Sequence, residues 1–202
     1  MKLYYAPGAC SLAPHIILIE TGLPFSTERV DLRAEPHKTE SGADYKTINA
    51  KGYVPTLALE SGDRLTEAAV VVQYIADQAP EKALAPACNT LERYRLQEWL
   101  NFISSELHKG FGPFWKPGTP QEQKDATWTR LSQRFDWLAP QLADKDYLMG
   151  EFSVADAYLF TILRWPDHFK LSLERWPALQ AYRSRVGERA AVKQALKDEG
   201  IG

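Results

Sequence analysis

Twenty-two residues at the start of the chain, Met1 to Gly22, restrict the fold more than any other stretch. Lys2-Leu3-Tyr4-Tyr5 has the character of a short buried strand, and Leu12 to Thr21 carries a helical run. Pro14 is compatible with a helix only in its first turn, where a missing N–H has no intrahelical acceptor to lose. Gly22 suits the left-handed position that closes a helix. The intervening Ala6-Pro7-Gly8-Ala9 therefore delivers Cys10 and Ser11 to the N-terminal end of that helix. Backbone N–H groups converge there and the helix dipole is positive, so a thiol ionises more readily than one in free solution. The same residue also fits as a small buried hydrophobe, and position alone leaves both roles open. Ala13 stands where a two-cysteine redox motif would carry its second thiol, so any disulfide chemistry needs a sulfur from elsewhere.

The 202 residues can bury a substantial core in one large domain or two small ones. With 45% hydrophobic and 25% charged residues the composition is that of a soluble globular chain. A net charge of -2 speaks against a nucleic-acid or membrane-surface partner. No apolar run approaches the roughly 20 residues that span a bilayer. The chain opens directly on a strand, without the basic and apolar segments of a secretory signal. Two cysteines make no disulfide framework, which points to a reducing cytoplasm. Cys88 lies in a linker-like stretch and is assigned no role.

Taken in order, Phe25 to Leu32 alternates as a second strand, with Phe25, Val30 and Leu32 as core contacts. Strand, helix, strand implies a parallel pair. Residues 33–43 read as a polar surface loop and Asp44 to Asn49 as a short helix. Thr56 to Glu60 and Arg64 to Thr66 form a hairpin around Ser61-Gly62-Asp63. Thr66 then caps a helix whose first residue is Glu67 and whose apolar face is Val70, Val71, Tyr74 and Ile75. Residues 1–79 thus read βαβ-α-ββα, an α/β domain. Pro80 and Pro86 mark residues 80–87 as a linker. Residues 88–202 read as all-helical. Leu96, Trp99, Leu100, Ile103 and Leu107 form one helical stripe, ended by Gly110 and followed by an aromatic loop from Phe111 to Pro120. Ser153-Val154-Ala155-Asp156 is a variant capping box that opens an apolar helix from Val154 to Trp165.

Met1-Lys2-Leu3-Tyr4-Tyr5-Ala6-Pro7-Gly8-Ala9-Cys10-Ser11-Leu12 resembles the opening of the bacterial beta class of glutathione transferases, marked by cysteine where other classes use tyrosine or serine. Gly52-Tyr53-Val54-Pro55, Leu65-Thr66-Glu67, Glu98 to Asn101 with Glu106 to Lys109, and Val154 to Phe160 are similar to the same class, in the same order along the chain. The resemblance implies a thioredoxin-like first domain that binds glutathione and a helical second domain that shapes a co-substrate pocket. Glutathione is then a co-substrate, no metal is needed, and the protein is a cytoplasmic homodimer that detoxifies small hydrophobic electrophiles.

Residue by residue, Cys10 and Ser11 fall at the reacting sulfur. Tyr53, Val54 and Pro55 match the family's cis-proline turn, whose backbone binds the cysteinyl part of glutathione. Glu67 and the N–H of Ala68 match the γ-glutamyl site, although many family members have serine where this chain has Ala68. Where the class has a lysine for the glycyl carboxylate, this chain has His37, with Lys38 beside it, and either can serve. Asn101, Ser105 and Glu106 match positions at or near glutathione; on an isolated helix they are ordinary exposed polar residues. His108 and Lys109 match a pair near the reacting cysteine, and a histidine there can polarise a thiol; cations before a glycine also stabilise any helix end. Tyr5, Phe111, Phe114, Trp115, Trp165 and Phe169 are candidates for the co-substrate pocket. Three activities fit: conjugation of glutathione to electrophiles, thiol transfer or reductive dehalogenation through a Cys10 mixed disulfide, and a non-catalytic ligand-binding or regulatory role.

Overall fold

The computed structural model describes residues 1–202. They form two compact units, one of Met1–Ala85 with Arg189–Gly202 and one of Pro86–Glu188. No helix is long and apolar enough to cross a membrane.

In the first unit, β1 (Lys2–Tyr5) pairs in parallel with β2 (Ser26–Asp31) across α1 (Leu12–Thr21). β3 (Lys38–Thr39), β4 (Thr56–Ala58) and β5 (Arg64–Thr66) complete one five-stranded sheet in the order β3-β2-β1-β4-β5. The turn into α1 is Ala6 to Ser11, and Gly22 closes the helix at φ 70°, its N–H bonded to the Ile19 carbonyl. A side chain rarely adopts that backbone conformation, which is why glycine stands there. α2 (Ala68–Asp77) packs on α1, and its Val71, Val72 and Ile75 are fully buried.

Several local expectations are corrected. β3 lies inside the stretch read as a polar loop; its two residues pair with Val30 and Asp31, and two residues give no periodic signal. Leu32 is 36% exposed rather than in the core, because β2 ends at Asp31 and the alternation ends with it. The short helix shrinks to one 3-10 turn at Tyr45–Thr47, capped by the Asp44 carboxylate, which accepts from the Lys46 N–H at 2.9 Å. Glu67 precedes α2 rather than opening it, at φ 68° and ψ 114°.

The second unit contains α3 (Leu91–Phe102), α4 (Gly112–Trp115), α5 (Gln121–Gln141), α6 (Val154–Leu163), α7 (Trp165–His168) and α8 (Pro177–Gly187). Gly110 does not end a helix. After α3 the chain widens into a π-helical stretch, Ile103–His108, then a 3-10 turn, Lys109–Phe111, and runs on into α4. A Cβ at Gly110 would lie 2.7 Å from Leu131 Cδ2, so a larger residue there obliges the end of the Leu131 side chain to shift. All ten residues of α6 are buried. Its Asp156 carboxylate accepts from the Ser153 N–H (2.8 Å), the Ser153 hydroxyl (2.9 Å), the Leu148 N–H (2.9 Å) and the Tyr182 hydroxyl (2.8 Å). Burial raises the Asp156 carboxyl above its ordinary value against the pull of those four bonds.

The last helix, α9 (Ala190–Asp198), departs from the reading of residues 88–202 as one helical domain. It packs on α1 and belongs to the first unit. Ala191, Val192 and Ala195 are its buried face, and Arg189 Nε bonds Glu20 Oε1 at 2.7 Å. Its apolar stripe says that it packs, without saying on what.

Candidate active site

Cys10 sits two residues before α1 and is 7% exposed. Its thiol donates to the carbonyl oxygen of Val54, 3.3 Å from Sγ. The Ser11 hydroxyl is fully buried and bonds both backbone groups of Ala6, accepting from the N–H at 3.1 Å and donating to the carbonyl at 3.2 Å. Ser11 thus closes the turn that presents Cys10. A carboxylate supports the turn from the far end of the chain: Glu199 Oε2 accepts from the Gly8 N–H at 2.9 Å, and Oε1 lies 3.0 Å from His15 Nδ1 on α1. Both side chains of that pair are buried.

The Val54–Pro55 peptide is cis. Beneath it, the carbonyl of Tyr53 accepts from the Tyr45 hydroxyl (2.9 Å) and from Asn49 Nδ2 (2.7 Å), and Tyr45 also meets the Thr56 hydroxyl at 2.7 Å. Tyr45 is fully buried, and burial pushes its phenol up. The Tyr53 ring itself points to solvent, 63% exposed. His37 Nδ1 lies 3.1 Å from the carbonyl of Gly52, against this same loop, whereas Lys38 is an exposed residue of β3. Glu67, at its positive φ, is 56% exposed in its side chain and pairs with Lys51 at 2.7 Å. A non-glycine residue in that region costs on the order of 1–3 kcal/mol and persists only where surrounding structure imposes it. Cys10, Val54, Pro55, Glu67, Ala68 and His37 are all in the first unit.

In the second unit, His108 Nδ1 lies 2.6 Å from the Tyr158 hydroxyl, and its ring stands edge-on to Trp165 at 4.9 Å. Trp165 contacts Phe111 (5.6 Å) and Trp115 (5.2 Å), and Phe169 contacts Phe111 (6.3 Å), Phe114 (5.2 Å) and Trp115 (4.6 Å) between centroids. Five of the six aromatic candidates therefore form one cluster with His108 at its side. The sixth, Tyr5, lies in the first unit with its ring 5.8 Å from His15. Lys109 and Asn101 are exposed, the Ser105 hydroxyl donates to the Asn101 carbonyl at 2.9 Å, and Glu106 pairs with Arg134 at 2.6 Å.

Tyr158, Tyr45, Glu199 and Lys51 were not singled out from sequence, and each acts on a candidate site residue or its loop. Tyr158 lay inside the recognised stretch Val154 to Phe160, and Lys51 one residue before Gly52-Tyr53-Val54-Pro55; Tyr45 and Glu199 lay in no recognised motif. No group of three or more His, Cys, Asp or Glu side chains is gathered to hold a metal ion.

A thiol at the head of α1, a cis-proline turn facing it and a helical second unit define a class, and sequence comparison agrees. The glutathione S-transferase N-terminal domain matches residues 8–78 and the glutathione S-transferase C-terminal domain residues 102–190. The chain belongs to the glutathione S-transferase family. It is 44% identical to glutathione S-transferase GstA of Escherichia coli O157:H7 over the whole of both chains. Two solved structures are similar throughout. One is the beta-class glutathione S-transferase of Sphingomonas chungbukensis (48% identity, TM-score 0.96, all of both chains). The other is a sphingomonad glutathione S-transferase complexed with glutathione (46% identity, TM-score 0.95, all of both chains).

Proposed function

We infer that the protein is a glutathione transferase of the beta class that conjugates glutathione to small hydrophobic electrophiles. The observation that carries this is the 3.3 Å contact between Cys10 Sγ and the Val54 carbonyl. Peptide groups of Val54 are the ones the family offers to glutathione's cysteinyl residue, so a tripeptide held there has its thiol beside Cys10. Glu67 takes the γ-glutamyl ammonium, the N–H of Ala68 its carboxylate, and His37 or Lys38 the glycyl carboxylate. The sphingomonad relative was solved with glutathione, which supports the same ligand for this chain. The aromatic cluster around Trp165, with His108 at its side, is the surface offered to the electrophile. Asn101, Ser105 and Glu106 complete the glutathione site, in part from the neighbouring subunit of a homodimer. The cytoplasm is its compartment.

Because the residue beside the bound thiol is itself a thiol, a second activity follows. The Cys10 thiolate attacks a glutathione mixed disulfide at the glutathione sulfur, forming a bond to it and expelling the other sulfur as a thiolate. A second glutathione thiolate then releases Cys10 as glutathione disulfide forms. Retention on immobilised glutathione, with turnover of a chlorinated aromatic electrophile, tests the main reading. Retention with neither conjugation nor disulfide exchange would instead identify a ligand-binding protein of this fold.

A further inference from the structure

The loop that leads into the cis proline carries a cation at the γ-glutamyl end of the site. Lys51 Nζ lies 2.7 Å from Glu67 Oε1 and 3.0 Å from Thr66 Oγ1. Its backbone N–H donates to the Asn49 side chain at 3.1 Å, which fixes where the residue leaves the loop. An ammonium has three N–H donors. Two engage these oxygens, and the third is available to an anion. Both side chains are about half exposed, Lys51 at 50% and Glu67 at 56%, so a polar ligand reaches the pair from solvent.

We propose that Lys51 receives the α-carboxylate of the γ-glutamyl group and thereby makes the site selective for γ-glutamyl thiols. The proposal rests on the reading of Glu67 as the acceptor of the ligand's ammonium. A γ-glutamyl group ends in a zwitterion, with ammonium and carboxylate on one carbon. The Lys51–Glu67 pair is its electrostatic complement. Laid head to tail, the ligand's ammonium meets Glu67, its carboxylate meets Lys51, and the amides at the start of α2 add a backbone donor to that carboxylate. Glu67 can serve two cations, since a carboxylate has two oxygens and about four lone-pair sites. Lys51 as a rival for Glu67 predicts the opposite sign: its removal would tighten binding. The attraction acts between half-exposed charges, so salt weakens it.

Calorimetry can compare S-methylglutathione, whose sulfur is blocked, with S-methyl-cysteinylglycine, which lacks the γ-glutamyl group. The proteins are the wild type and the variants Lys51→Met, Lys51→Arg and Glu67→Gln. Lys51→Met is expected to raise the Kd of S-methylglutathione about tenfold at low salt, and by less at high salt. Lys51→Arg restores most of the affinity, and the Kd of the dipeptide is the same in wild type and Lys51→Met. Unfolding temperature of Lys51→Met stays at the wild-type value, as expected for an exposed pair. Equal or tighter binding of S-methylglutathione by Lys51→Met overturns the proposal. A different result marks failure of the underlying reading: Glu67→Gln without effect, or a wild type that binds dipeptide as tightly as tripeptide.

Discussion

The thiol of Cys10 donates its proton to the carbonyl oxygen of Val54, 44 residues away in sequence and 3.3 Å away in space. Only the thiol makes this bond; a thiolate has no proton to give. The contact therefore joins the sulfur at the head of α1 to the backbone of the cis-proline turn.

If that sulfur is a redox nucleophile, its removal separates the two chemistries. Cys10→Ala is expected to lose glutathione mixed-disulfide exchange by about two orders of magnitude or more while keeping conjugation within roughly tenfold. Steady-state rates on a chlorinated aromatic and on a mixed disulfide, with intact-mass detection of a glutathione adduct, check this. Equal losses in both reactions would mean that the sulfur is needed for conjugation itself.

Glu199 ties the last residues of the chain to the turn before Cys10. Glu199→Ala leaves the part-buried Gly8 N–H and the buried His15 Nδ1 without that partner. The expected cost is roughly 2–5 kcal/mol. For a chain of this size that lowers Tm by about 5–15 °C. Calorimetric scanning reads it, and a fall of less than about 2 °C would show the latch to be dispensable.

Asp156 satisfies four donors with two oxygens. In Asp156→Asn an NH2 faces either Ser153 or the Leu148–Tyr182 pair, so at least one buried donor loses its acceptor. A loss of about 3 kcal/mol or more is expected from urea unfolding. A variant as stable as the wild type would mean that α6 does not need its carboxylate cap.

The acid limb of stability is assigned to Glu28. Hydrogen bonding from Ser41, then from Lys2 and Thr39, holds its carboxyl at about 2, below the ordinary 4.5, although burial works against this. A folded-state value depressed in this way contributes stability above pH 4.5 that is lost as pH falls toward 2. Asp156, raised by burial, titrates in the opposite sense: its contribution declines as pH rises through the folded value. Glu28→Gln should therefore lose stability at neutral pH and show a flatter decline in acid. Urea midpoints for both proteins from about pH 6 to about pH 3 measure it. An unchanged slope would place the acid limb elsewhere.

Much of the first unit was legible because its rules are local. Pro14 marks the first turn of α1 and Gly22 its end, each through the backbone angles that one residue adopts. Ser153 and Asp156, three residues apart, announce the start of α6. The motifs that carry the family resemblance lie on such elements. Gly110 shows where the same reasoning stops: it reads as a helix end, but the chain runs on through it into α4, with Leu131 of another helix packed against it. β3 is too short for any period to show.

By itself, then, the order of residues determined the strand–turn–cysteine–helix opening, the sheet-and-helix plan of the first eighty residues and the helical character of the rest. Tertiary structure alone decided that α9 returns to α1, that Glu199 holds the Cys10 turn, that Tyr158 meets His108 and that Lys51 sits on Glu67. The division is physical. Backbone preferences and helix caps act over about four residues and are written in the sequence directly. A hydrogen bond from a backbone N–H to a carboxylate 191 positions away depends on where every intervening element packs.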